Sequence, residues 1–339
     1  MDVAALPNFM PTGPENLKEK IYAQVGPDLI RIEGEINRLL DSDIPLISVV
    51  GRYIMGSGGK RLRPLLMTLS ARLCGYSGKD DTSLAVVFEF VHAATLLHDD
   101  VVDHAEFRRS RPSANTIWGN PAVVLVGDFL YSKSIQIAVG YRDIRILKVL
   151  LDATTTMSEG EVVQLVNSDN LEISEEEYLE VITRKTAVLI SAACQAGAIF
   201  GGGGAAGEKA LKAYGRNLGI AFQLIDDTLD FTGETEELGK TVGNDLKEGK
   251  ATLPLIYAMQ NAKAADRLRL RQIFTSELIE AEEIAEISNL VEKSGGIEYT
   301  NNQACAHSLR AKEALRIFPR CPVKEILEDI ADYVICRRA

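Results

Sequence analysis

The chain has 339 residues, 46% of them hydrophobic and 25% charged, a composition that buries a sizeable core and excludes general disorder. Its 37 Lys and Arg against 48 Asp and Glu leave a net charge of −11. That balance argues against nonspecific nucleic-acid binding and against a polybasic membrane anchor, so any anionic ligand must be met by a local basic patch.

Residues 1–14 are expected as a flexible N-terminal tail, with a dimer arm as the alternative. Residues 15–339 read as one domain, because no Pro/Gly/Ser-rich linker divides them. From Glu15 to Leu40 the apolar residues Ile21, Val25, Leu29, Ile32, Ile36 and Leu39 recur at steps of three and four, the rhythm of a helix with one buried face. Similar segments follow at about 61–74, 80–105, 120–139, 142–167, 174–200, 206–231, 250–260, 279–294, 296–316 and 321–336. Alternating β-branched runs are nearly absent, so the fold class expected is all-α. Ser174 with Glu177 reads as a capping box. The uncharged stretch Thr186 to Gly207 invites a membrane reading, but its four consecutive glycines favour a buried core helix with a glycine stop. The five cysteines (Cys74, Cys194, Cys305, Cys321 and Cys336) are scattered and form no CxxC pair, which suggests neither a zinc site nor a disulfide framework. The amino end lacks a basic-then-apolar leader, and the expected address is the reducing cytoplasm.

The loudest signal is a repeated DDxxD: Asp99, Asp100 and Asp103 after Leu-Leu-His, then Asp226, Asp227 and Asp230 after Gln-Leu-Ile. On a helix, positions i and i+4 share a face, so each motif projects two carboxylates together. Adjacent aspartates in an apolar helical run repel and are costly to desolvate. Two such clusters are best relieved by facing each other around divalent cations, and all-oxygen ligands suit Mg²⁺. A solvated acidic helix end explains one motif and strains to explain two. Basic residues gather nearby. Gly58-Gly59-Lys60-Arg61-Leu62-Arg63-Pro64 opens a helix, where backbone amides and three cations make a diphosphate cradle. Arg108, Arg109 and Arg111 follow Asp103, and His92 stands two turns before Asp99. Gln223 lies a turn before Asp226 and Asp227, and Lys185 with Thr186 interrupts an otherwise apolar helix.

GGKRLRP, HDDVVDHAEFRRSRP, GDFLYSK, EGEVVQL, RKTAVLI and FQLIDDTLDFTGETEELGKTVGNDLKEGKATLPLI resemble the trans-polyprenyl diphosphate synthase family, in order, over about two-thirds of the chain. The resemblance implies a bundle of antiparallel helices around a deep central cavity, a homodimer, and no integral membrane span. It implies head-to-tail condensation of an allylic diphosphate, farnesyl or geranylgeranyl, with isopentenyl diphosphate. It further implies Asp99, Asp103 and Asp226 as the main ligands of about two or three Mg²⁺ ions per site. Asp100, Asp227 and Asp230 would bind directly or through water. Lys60, Arg63, His92 and Arg109 match the family's isopentenyl diphosphate site; Arg108, Lys185, Thr186, Gln223, Lys240 and Lys250 match its allylic site. Where shorter-product members carry an aromatic floor near the first motif, this chain has Ala94 and Thr95. That points to a product of roughly thirty to fifty carbons, near forty, set by cavity depth. The alternatives are a short-chain farnesyl or geranylgeranyl synthase and a non-catalytic subunit of a heteromeric synthase. A terpene cyclase would not need Lys60, Arg63 and His92, and an HD-type phosphohydrolase needs more metal-binding histidines than the four present.

Overall fold

The computed structural model describes residues 14–108, 111–232, 243–276 and 278–336. The tail expectation for residues 1–13 lies outside this range, and the first helix already begins at Pro14. The chain is all-α as expected; one two-residue antiparallel ladder pairs β1 (Phe107–Arg108) with β2 (Arg111–Pro112).

The first ten helices run α1 (Pro14–Leu39), α2 (Pro45–Gly56), α3 (Leu62–Leu73), α4 (Asp81–Val102), α5 (Ala114–Trp118), α6 (Asn120–Gly140), α7 (Ile144–Val166), α8 (Glu175–Ile182), α9 (Val188–Phe200) and α10 (Gly204–Thr232). Then come α11 (Asn244–Lys247), α12 (Leu253–Asn261), α13 (Ala264–Phe274), α14 (Ala281–Lys293), α15 (Gly296–Ala314) and α16 (Pro322–Cys336). The periodic segments appear close to their expected bounds. Four helices were not foreseen: α2, α5, α11 and α13. In α2 the β-branched residues Ile47, Val49 and Val50 hide the rhythm, and helix forms because Val50, Ile54 and Met55 bury against α1, α4 and α6. In α13 only Leu270, Ile273 and Phe274 are buried among alternating charges.

Two long helices carry the aspartate motifs, and each is wedged between others. α4 splits its apolar residues between two cores. Phe90, Ala94 and Leu97 face α1, α2 and α6, while Phe88 and Val91 face α7 and α9. α10 packs most extensively on α9 and α15. Close approach there depends on glycine: a Cβ on Gly219 would stand 2.6 Å from the Cα of Ala187. The stretch 174–200, expected as one helix, is α8 and α9 joined by a π-helical turn at Thr183–Ala187. Such turns inside helices frequently mark functional sites. α9 is buried along most of its length and stops at glycines, with Gly202 and Gly204 at positive φ, so the apolar part of the Thr186–Gly207 stretch is a core helix with a glycine stop. Among the described residues the one helix long and apolar enough to cross a membrane is α6, of whose apolar window 33% is buried.

Candidate active site

Asp99 and Asp100 lie in the last turn of α4, and Asp103 caps it, its amide donating to Asp99 O at 2.8 Å. Asp99 is half-buried. Desolvation pushes its carboxyl up to about 7, with Lys185 pulling down and Glu161 and Asp103 pushing further up. Asp100 is buried and turned away from it: Arg108 Nε and Nη2 reach its Oδ1 at 2.7 and 2.6 Å. Its Oδ2 is buried with no hydrogen-bond partner. Arg108, expected at a substrate diphosphate, is thus engaged with the first acidic motif.

The second motif sits near the end of α10. Asp227 is buried; Gln223 Nε2 donates to its Oδ1 at 2.7 Å, and the Tyr178 hydroxyl donates to its Oδ2. Thr186 Oγ1 in turn donates to Gln223 Oε1 at 2.8 Å. Burial holds the Asp227 carboxyl well above its ordinary range, with neighbouring Asp245 adding to the rise. Asp230 accepts from the amides of Asn244 and Asp245, both at 3.1 Å, and so anchors the start of α11. Asp226 occupies the adjacent position of α10.

A cavity of about 140 Å³ opens between the end of α7, α8, the π-helical turn, α10 and the segment from Asp245 to Thr252. Lys185, Thr186, Gln223, Asp227 and Lys250, five of the expected residues, line it. Lys185 Nζ donates to Glu161 Oε2 at 2.8 Å. Lys250 Nζ contacts Glu248 and stands 3.7 Å from Asp103 Oδ2, which ties the segment after the second motif to the first motif. Lys250 therefore links Asp103 of the first acidic motif to the hollow that Asp227 of the second lines, while Asp99, Asp100, Asp103, Asp226 and Asp230 stand outside that lining. The π-helical turn supplies Lys185 and Thr186 to it, where the sequence showed a polar pair breaking an apolar run.

Lys60, Arg63 and His92 stand on the α3 entry and on α4, outside the lining of this cavity. Lys60 Nζ lies 5.4 Å from the ring centre of Tyr333. Arg61, counted among the cradle cations, instead turns inward: it reaches Glu33 at 2.6 Å, Glu89 at 3.1 Å and Met55 O at 2.6 Å. It does so from a left-handed backbone with φ 46°, a strained position for a side-chain residue that the buried ion pairs must hold. Ala94 is buried in the core beside Phe90, and Thr95 Oγ1 donates to His92 O at 2.8 Å. Arg109 and Lys240 lie outside the described residues.

The sequence reading did not single out Glu161, Gln164, Tyr178, Asp245 or Thr252, which the structure brings to the cavity or to its lysines and aspartates. Glu161 and Gln164 were legible as an i, i+3 pair in EGEVVQL; Tyr178 carried no local signal.

Among the described residues no three His, Cys, Asp or Glu side chains close around one point as a complete metal cage. The donor set is instead all-oxygen and open. A half-buried Asp99 has its pKa raised by desolvation, and Asp100 keeps an orphaned buried oxygen. That fits a hard divalent cation that completes its shell with water and phosphate oxygens.

An all-helical bundle with an acidic motif near the end of each of two long helices, one of them at a hollow lined by two lysines, fits the isoprenoid synthase fold. The chain belongs to the polyprenyl synthetase family, whose model matches residues 44–291, and it is a prenyltransferase. It is 42% identical to the octaprenyl diphosphate synthase of Haemophilus influenzae over 92% of this chain and 95% of that one. Two solved structures superpose closely. A polyprenyl synthase from Caulobacter crescentus, complexed with calcium and isoprenyl diphosphate, gives a TM-score of 0.91 at 39% identity over 95% and 98% of the two chains. A decaprenyl diphosphate synthase from Rhodobacter capsulatus gives 0.88 at 39% over 95% and 99%.

Proposed function

We propose that the enzyme extends an allylic diphosphate, farnesyl or geranylgeranyl, with successive isopentenyl diphosphate units to an all-trans product of octaprenyl size. The observation that carries this reading is the Lys250–Asp103 approach at 3.7 Å with Lys250 and Asp227 on one cavity wall. It sets an aspartate of the first motif beside a lysine that lines the hollow of the second. The octaprenyl and decaprenyl names of its relatives support a long product.

In this reading Asp99, Asp103 and Asp226 hold Mg²⁺, with two or three ions in the loaded site. Bound there, Mg²⁺ supplies the positive charge that stabilises a departing diphosphate. Lys185 and Lys250 place ammonium groups against the same diphosphate oxygens, where charge develops as the allylic C–O bond breaks. The Gln223 amide, fixed between Thr186 and Asp227, orients that end of the substrate. Lys60, Arg63, His92 and Arg109 receive isopentenyl diphosphate, and its double bond attacks the allylic cation. The proton then lost passes to the released pyrophosphate, so the charge and atoms balance. The calcium and isoprenyl diphosphate carried by the Caulobacter relative support a divalent cation beside a diphosphate.

The outward face of α6, with Leu125 at 68% and Val139 at 54% exposure, supports a homodimer in which a second copy covers it. Purified enzyme with radiolabelled isopentenyl diphosphate, farnesyl diphosphate and Mg²⁺ tests the reading. A long polyprenyl diphosphate by mass supports it; geranylgeranyl diphosphate as the end product assigns the short-chain alternative. No incorporation overturns the reading.

A further inference from the structure

We propose that Tyr178 is a positioning residue for the cation-binding carboxylates, acting through Asp227. The proposal rests on the function proposed above and adds to it a residue outside both acidic motifs.

Tyr178 lies in the first turns of α8, a helix whose start is fixed by the Ser174–Glu177 capping box. That box sets the rotation of the helix, so Tyr178 points inward, where only 3% of it is exposed. Packing alone asks for an apolar ring at such a place. The hydroxyl is instead spent on Asp227 Oδ2. A continuous chain results: Thr186 to Gln223 to Asp227, with Tyr178 donating from the other side. It links the π-helical turn, α10 and α8. Asp227 thus has both oxygens held by protein donors, one from each side. Its rotamer and the register of the last turns of α10 are fixed with it, and so are the directions in which Asp226 and Asp230 leave that helix. Partners of this kind, one bond removed from the ligands, orient a metal site and tune it.

Full-length Tyr178→Phe tests this with a readout that needs no turnover. Calorimetric titration with Mg²⁺ in the presence of inorganic pyrophosphate is expected to show cation affinity lowered about 10- to 100-fold. The melting temperature falls only modestly, and KM for isopentenyl diphosphate stays within about twofold while kcat drops. Asp227→Asn, of the same shape, is expected to weaken cation binding too, and the double variant to lose less than the sum of the two, as members of one chain do. A Tyr178→Phe protein that binds Mg²⁺ like the parent, or is only less stable, overturns the proposal. So does an Asp227→Asn protein with unchanged cation affinity, or strictly additive losses. A parent that binds Mg²⁺ and pyrophosphate yet makes no prenyl product overturns the function reading instead, and the two failures are told apart.

Discussion

The Lys185 ammonium donates to Glu161 at 2.8 Å and at the same time is the main group holding down the raised carboxyl of Asp99. One lysine therefore serves both a neighbouring acid on α7 and the first acidic motif on α4. Lys185→Met keeps the length of the side chain and removes the charge. The Asp99 carboxyl then moves above about 7, and the acid limb of the kcat/KM profile shifts to higher pH. Allylic kcat/KM itself falls about 10²- to 10³-fold, the usual scale for losing one preorganised charge donor. A pH–rate profile checks both; an acid limb that does not move refutes the link between Lys185 and Asp99.

Burial of Asp99 costs the fold stability at neutral pH. Its carboxyl titrates near 3.8 when unfolded and about 7 when folded, chiefly through burial. The folded protein therefore holds a proton that the unfolded chain releases. The resulting stability deficit is absent below pH 4, grows as pH rises from about 4 to 7, and is complete above 7. Asp99→Asn removes it. Without divalent cations at pH 8 the variant is expected to be more stable by about 1–3 kcal/mol, discounted from the full linkage value for the partial solvent access of the site. The gain vanishes near pH 4, and turnover is abolished. Urea melts at the two pH values, with a product assay, measure this trade; equal stability at pH 8 contradicts it.

The helical class and the long periodic helices were legible because a three-and-four apolar rhythm is local information. So were the two acidic motifs, since desolvated adjacent aspartates announce a cost that something must repay. What the local pattern lacks is direction. Arg61 and Arg108 read as surface cations for diphosphate, yet tertiary packing turns one onto Glu33 and Glu89 and the other onto Asp100. Asp100 and Asp227, middle residues of their motifs, face inward for the same reason. Tyr178 was invisible because its partner lies 49 positions away. The π-helical turn at Lys185 was half legible, as a polar break with no sign of its geometry.

Packing at that turn gives a third expectation. Gly219 on α10 faces Ala187, whose Cα would stand 2.6 Å from an added Cβ. Gly219→Ala must push α10 from the turn that carries Lys185 and Thr186, at an overpacking cost of about 1–3 kcal/mol. The Thr186–Gln223 hydrogen bond is strained with it. A lowered melting temperature together with a raised KM for the allylic diphosphate is expected. Parent-like values for both show that the two helices yield freely.

His307 on α15 links acid pH to stability. Its Nδ1 meets Asn217 Oδ1 at 2.9 Å and its Nε2 faces Arg310 at 3.3 Å, an arrangement that suits a neutral ring with the proton on Nδ1. Burial, aided by Arg310 and Arg216, lowers its pKa from 6.5 to about 4. The unfolded chain takes up a proton below 6.5 that the folded ring refuses, so stability is lost as pH falls from about 6.5 to 4. The loss is about 1–3 kcal/mol, discounted because the ring is only partly buried. His307→Gln removes this share of the acid sensitivity, read from urea melts at pH 4.5 and 7.5. An unchanged difference between the two shows that other groups carry the effect.

Product length is tested at Ala94. It lies one turn from Phe90 in the core between α4 and α6 and precedes Asp99 by five positions on the same helix. If the growing chain runs down this side of α4 from the diphosphate site, a phenylalanine at Ala94 blocks it. Ala94→Phe is then expected to shift the product toward fifteen or twenty carbons, roughly the length that reaches the new ring. The added ring overfills a tight core at a cost of about 1–3 kcal/mol, so Ala94→Leu accompanies it as a smaller obstruction. A graded shortening from alanine to leucine to phenylalanine, at retained rates of isopentenyl incorporation, identifies the wall of the tunnel. Full-length product from both variants places the growing chain on another face of the bundle, and loss of incorporation with a lowered melting temperature marks Ala94 as packing alone.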